Sequence, residues 1–213
     1  MAISIMNSST SGNPPHGLNK VNANTFTYWQ YVDTLVYWGG SSGEGLIVPP
    51  SPDVVDAAHK NGVRVLGTVF MPQTAHGGKM EWLEDLLVKN EDGSYPVADK
   101  LIEVAQTYGF EGWFMNQETE GTDEEPLTAD HAARMQQFIQ YFKEQAPDLD
   151  LVYYDSMTVD GKMDWQNALT EENLAYLVSE DGDPVADAMF LNFWWTTDTL
   201  ADPVSYTHLR AHE

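Results

Sequence analysis

The chain has 213 residues, no cysteine, and only 10 Lys and Arg against 33 Asp and Glu. Without cysteine there is no disulfide, no thiol nucleophile and no Cys-ligated zinc, while the redox compartment stays open. A formal net charge of -23 opposes phosphate backbones, whose binding depends on Lys and Arg displacing counterions. Nucleic acid is therefore excluded as a partner, and an anionic membrane surface is a poor one. No apolar run approaches the roughly 20 residues of a membrane-spanning helix, so no membrane insertion is expected. The N-terminal MAISIMNSSTSGNPPHG has neither a basic start nor an apolar stretch of roughly 7–15 residues, so it shows no signal peptide. GxGxxG, GxxxxGK[ST] and HExxH are all missing, which leaves nucleotide binding and a metal without support.

What is present is a foldable core: 42% hydrophobic residues, with seven Trp, ten Tyr and eight Phe spread along the chain. Short apolar runs occur at 34–40 (TLVYWGG), 63–70 (VRVLGTVF), 112–118 (GWFMNQE), 150–156 (DLVYYDS) and 188–195 (AMFLNFWW). Their continuity fits strands buried on both faces. Between them lie helical segments. Ser51-Pro52-Asp53 reads as a helix start and Asn61-Gly62 as its end, with His59 inside as a packing or capping residue. Leu101, Ile102 and Ala105 share one face of a helix ending at Gly109. Met135, Phe138, Ile139 and Phe142 line another that stops before Pro147, and a further helix is expected near 171–179. Strand alternating with helix predicts a parallel α/β sheet. The chemistry-bearing residues gather at the C-terminal ends of the strands: Trp38, Phe70, Asn116, Glu118, Tyr154, Asp155, Trp194 and Trp195. That arrangement favours a (β/α)8 TIM barrel over an open sheet. Five runs over 34–195 give roughly 30 residues per unit, so about the first five βα units are present, against the ~250 residues of a whole barrel.

Asn116 and Glu118 lie two apart on one strand, so their side chains leave the same face about 7 Å apart. An acid beside an amide suits a glycosidase in which the acid protonates the leaving oxygen and the amide orients a substrate N-acetyl group. The acids Glu120, Asp123, Glu124 and Glu125 follow, and like charges there are expected to hold a proton on Glu118. The plainer reading makes Asn116 a strand-end hydrogen bonder and the acids a solvated loop. Trp38, Trp165, Trp194 and Trp195 supply flat faces that could stack on sugar rings, or could pack a core or rim. His76, on the loop after 63–70, could reach the same cleft.

The segments 28–40, 56–70, 98–119, 153–156 and 192–195 resemble glycoside hydrolase family 85, the endo-β-N-acetylglucosaminidases, in order over about 26–200. The resemblance implies cleavage within the N,N'-diacetylchitobiose core of N-glycans on glycoproteins. It also implies retention through an oxazolinium formed by the substrate's own acetamido group, with no metal or organic cofactor. Glu118 then matches the general acid/base, Asn116 the residue that orients the acetamide, and Tyr154 a residue that helps hold it. Trp38, Phe70, Trp165, Phe193, Trp194 and Trp195 fall where the family lines its sugar subsites. Where many relatives carry Tyr-Gly-Gly, this chain has His76-Gly77-Gly78, at a position that bears on subsite preference. Cytosol and secretion are both compatible with the family. The expected organisation is a flexible arm over 1–22, a partial catalytic barrel over 23–203, and a non-native tail over 204–213 that resembles adapter read-through. Two other readings remain at this point: a carbohydrate-binding barrel without turnover, and a truncated chain whose open sheet does not fold.

Overall fold

A computed structural model describes residues 1–4, 26–40 and 45–194. The rest of the expected arm (5–22), the 204–213 tail and Trp195 lie outside the described residues.

The described residues form one curled sheet with the strands β1 (Ala2–Ser4), β2 (Thr34–Tyr37), β3 (Ile47–Val48), β4 (Arg64–Met71), β5 (Gly112–Gln117), β6 (Asp150–Tyr154) and β7 (Ala188–Phe190). The order is β1-β2-β4-β5-β6-β7, every neighbouring pair in it is parallel, and β3 runs antiparallel to β4. Helices α1 (Pro52–Lys60), α2 (Met80–Leu86), α3 (Pro96–Tyr108) and α4 (Ala129–Gln145) complete the set. Parallel strands joined by helical crossovers on one side make a partial TIM barrel, as the alternating texture predicts.

One correction falls at the N-terminus. Residues 2–4, expected in a flexible arm, pair with Leu35, Val36 and Tyr37 as the first parallel strand. Three residues are too few to show a period, and the pairing is set by the neighbouring strand rather than by local pattern. The described sheet thus has one parallel strand more than the sequence pattern supplies.

Period-two alternation sorts each central strand between two cores. On β5, Trp113 and Met115 face the helices and pack with Leu101, Met135, Phe138 and Phe142, all within a few per cent of complete burial. Phe114 faces the other way and meets Val36, Leu66, Val152 and Tyr154 inside the curl. The Trp113 ring is seated by Gly67, where an added Cβ would lie 2.7 Å from it, and its indole donates to the Leu101 carbonyl at 3.0 Å.

The helices begin and end for local reasons. Pro52 and Pro96 occupy first-turn positions of α1 and α3, and Gly109 closes α3 in the left-handed region at φ 70°. Ser51 holds the N-cap position of α1 but makes no side-chain cap. The N-terminus of α4 is closed by a capping box between Thr128 and His131. His131 also bonds Glu84 of α2 at 2.7 Å, joining two helices. Helix α2 gives no strong sequence signal because it has under two turns.

The helix expected near 171–179 is not formed. Only a 3-10 turn, Leu174–Tyr176, occurs there. Asn173 spends its side chain on Asp155 and the Ala168 carbonyl, which ties the segment to the sheet instead of extending a helix.

Candidate active site

Three central strands deliver one aromatic and three polar side chains to one rim. The alternation that puts Phe114 inside the curl also puts Asn116 there, and Glu118 follows just beyond β5, its backbone N–H donating to Met71 at 2.8 Å. Phe70 of β4 is the register partner of Asn116. Tyr154 ends β6, one residue beyond the Met115–Tyr153 pair.

These groups line a cavity of about 550 Å³, within the usual range for small-ligand sites. Its apolar surface comes from Trp38, Phe70, Phe114, Phe190 and Phe193, and its edge from Ile3 and Ser4 of β1. The rings are tilted or edge-on to one another: Trp38 lies 5.2 Å from Phe70, Phe114 lies 5.6 Å from Phe190, and Phe190 lies 5.6 Å from Phe193. Against that floor the polar groups are few and convergent.

Burial is the largest influence on Glu118 and raises its pKa above the ordinary glutamate value. Hydrogen bonds from Trp165, Gln73 and Asn116 and the charge of His76 pull the other way. The acids that follow in sequence are not the cause, contrary to expectation. Glu120 turns away and accepts from the Thr74 backbone N–H at 2.9 Å, and Asp123, Glu124 and Glu125 are exposed.

Asn116 is 4% exposed, and its Oδ1 has no hydrogen-bond partner. Because its amide donates to Glu118, the Nδ2 end faces the acid and the carbonyl end is left as a buried acceptor on the cavity wall. The Tyr154 hydroxyl donates to Asn192 Oδ1 at 2.8 Å. Burial first, and then the charges of Glu118 and Asp155, push its pKa far above that of a free tyrosine, so the phenol stays a neutral donor.

Of the residues singled out from the sequence, Trp38, Phe70, Asn116, Glu118, Tyr154 and Phe193 share the cavity wall. Trp165 is beside it, with its indole against both Glu118 and Tyr154. His76 ends an exposed 3-10 turn, Thr74–His76, and meets Glu118 only through its charge. Trp194 is 79% exposed, off the cavity wall, and anchored by its backbone N–H to Asn167. Sequence reasoning missed Phe114, Gln73, Phe190 and Asn192. Phe114 was recoverable, since it precedes Asn116 by the strand period. Phe190 ends β7, whose three residues are too few to show a period, and Gln73 and Asn192 lie on loops that no period marks.

Architecture and cleft chemistry together put the chain in the class of barrel-fold glycoside hydrolases. The sequence profile of glycosyl hydrolase family 85 matches residues 6–212, and the chain belongs to that family. It is 33% identical over 183 residues to the cytosolic endo-beta-N-acetylglucosaminidase of Mus musculus, covering 84% of this chain and 22% of that protein. With cytosolic endo-beta-N-acetylglucosaminidase 2 of Arabidopsis thaliana the identity is 33% over 172 residues, covering 79% and 22%. The crystal structure of the Endo-D glycoside hydrolase domain from Streptococcus pneumoniae superposes with a TM-score of 0.77 at 36% identity, over 91% of this chain and 30% of that one. The chain thus spans about a fifth of the length of these curated relatives.

Proposed function

We propose that the chain carries the acid-bearing face of an endo-β-N-acetylglucosaminidase that cuts the chitobiose core of N-glycans on glycoproteins, with retention and without a metal or cofactor. Asn116 Oδ1 carries the reading: it is a buried, unpartnered acceptor whose own amide is fixed by the neighbouring acid. An N–H donor from the ligand would complete it, and a 2-acetamido group offers one.

In the first step Glu118 gives its proton to the glycosidic oxygen as the bond to C1 breaks. The acetamido carbonyl oxygen closes on C1 from the other face while its N–H is held by Asn116. This yields an oxazolinium. Glu118, now a carboxylate, takes a proton from water, which opens the ring at C1 and restores the original configuration. The raised pKa of Glu118 suits the first step, and its three hydrogen-bond donors suit the second. The Tyr154 phenol stays neutral at the proposed acetamide site and would turn its one proton from Asn192 to the ligand, and the rings of Trp38, Phe70 and Phe193 are the stacking faces for the sugars. Trp165, Trp194 and Trp195 extend the proposed subsites, and His76 borders them.

The test is a glycopeptide assay that follows loss of the glycan with one GlcNAc left on asparagine. Release by the wild type, its loss in Glu118→Gln, and its loss in Asn116→Ala with activity on the preformed oxazoline largely kept are the expected results. Wild-type hydrolysis rates in Asn116→Ala would refute substrate assistance. Glycan binding with no release would favour a carbohydrate-binding barrel.

A further inference from the structure

Asp155, the residue after β6, is 1% exposed, and all the hydrogen-bond donors around its carboxylate are neutral. Backbone N–H groups of Gln166, Asn167 and Asn192 reach it at 3.2, 2.7 and 3.4 Å, and the Asn173 amide at 2.9 Å. Burying a carboxylate without a cation is costly, so donors from separate segments converging on one group mark a built arrangement.

Those segments carry the groups that meet the acid. Gln166 and Asn167 directly follow Trp165, so their bonds fix the turn from which that indole projects. Asn167 is held in the left-handed region at φ 56°, uncommon for a residue with a Cβ. Its Nδ2 donates back to the Trp165 carbonyl at 2.9 Å, and its Oδ1 accepts from Asn192 Nδ2 at 2.9 Å. Asn192 in turn accepts from the Tyr154 hydroxyl. Asp155, Asn167 and Asn192 therefore close a ring of contacts around Trp165 and Tyr154.

We propose that Asp155 is a positioning residue: by holding the 165–167 turn and Asn192 it aims the Trp165 indole N–H at the Glu118 carboxyl and the Tyr154 hydroxyl. The inference deepens the catalytic reading of Glu118 and rests on it for its functional meaning. Without Asp155 the turn relaxes and the Glu118 carboxylate loses a donor. Its charged form is then less favoured, and without that donor the carboxyl is no longer held in the orientation that both proton transfers need. The other titratable groups facing Glu118 are His76 and Tyr154, and those facing Asp155 are Tyr153 and Tyr154.

The test is an NMR titration of the Glu118 side chain and the Trp165 indole N–H in wild type, Asp155→Asn, Trp165→Phe and the double variant. Asp155→Asn should raise the Glu118 midpoint and shift the Trp165 indole signal. Trp165→Phe should raise the midpoint as well, and the double variant should go no further than Trp165→Phe alone. If Asp155→Asn does not fold, Asn167→Gly keeps the backbone conformation, removes the side chain, and should raise the midpoint in the same direction. An unmoved Glu118 midpoint in the folded variant, or additive shifts in the double, overturns the proposal. In turnover, Asp155→Asn should lose roughly tenfold or more in kcat with KM little changed, and the basic limb of the pH profile should move up. A wild type with no turnover but with the titration shifts present would remove the catalytic reading and leave the positioning relation standing.

Discussion

Phe70 and Asn116 stand side by side on β4 and β5 as register partners, so an aromatic ring of the cavity wall adjoins the buried amide acceptor. A sugar stacked on Phe70 would bring its 2-substituent toward Asn116. Phe70→Ala should therefore raise KM roughly tenfold, the loss of about 1–2 kcal/mol of ring contact, with a smaller effect on kcat. Initial-rate kinetics on a glycopeptide decide it, and a fall confined to kcat would remove Phe70 from the binding floor.

Glu118 gives a pH signature in stability as well as rate. Its folded pKa lies above the unfolded value, so the protonated form is favoured by folding. The resulting stability is fully present below the ordinary glutamate value and is lost as pH rises through the folded pKa. Glu118→Gln should then melt above wild type at neutral pH, with the gap closing on acidification below the unfolded value. A melting series across pH 4–8 tests this, and a gap that widens toward acid would reverse the sign.

Gly112 opens β5 at φ 143°, and a Cβ there would lie 1.9 Å from the Asp150 carbonyl oxygen of β6. Gly112→Ala must push apart two paired strands at their N-terminal ends, away from the site. A loss of about 2–4 kcal/mol is expected in denaturant unfolding. A change below about 0.5 kcal/mol would show that the strand pair can yield.

His131 caps α4 through Thr128 and reaches Glu84 of α2 from an 8% exposed position. His131→Ala removes both links and should cost about 1–2 kcal/mol by the same unfolding measurement. Hydrolysis by the surviving folded fraction should stay at the wild-type rate.

The sequence made the central sheet legible because β4, β5 and β6 are continuous apolar runs of five to eight residues. β1 and β3 escaped it at three and two residues, too short to carry a period. Asn116, Glu118 and Tyr154 were legible for a related reason: strand alternation and strand ends place side chains by counting. The cause of Glu118's raised pKa was not, because burial depends on how separate strands and loops close around the carboxyl in space, while the acids visible beside it in sequence point elsewhere. Trp194, adjacent to Phe193, turns off the cavity wall because its backbone is tied to Asn167, a contact spanning 27 residues.

The position of β4, β5 and β6 in the sheet has a consequence for how such a cleft can vary. Each has a paired strand on both sides and a helix layer behind it, and together they carry Phe70, Asn116, Glu118 and Tyr154. Ile3, Ser4, Phe190 and Phe193 sit on or beside β1 and β7, the outermost strands of the described sheet. If Glu118, Asn116 and Tyr154 carry the proposed reaction, its proton chemistry and the marginal part of ligand choice are thereby mounted on separate parts of one scaffold. Substitutions at the margins can reshape which glycan is accepted while the proton-handling centre keeps its geometry.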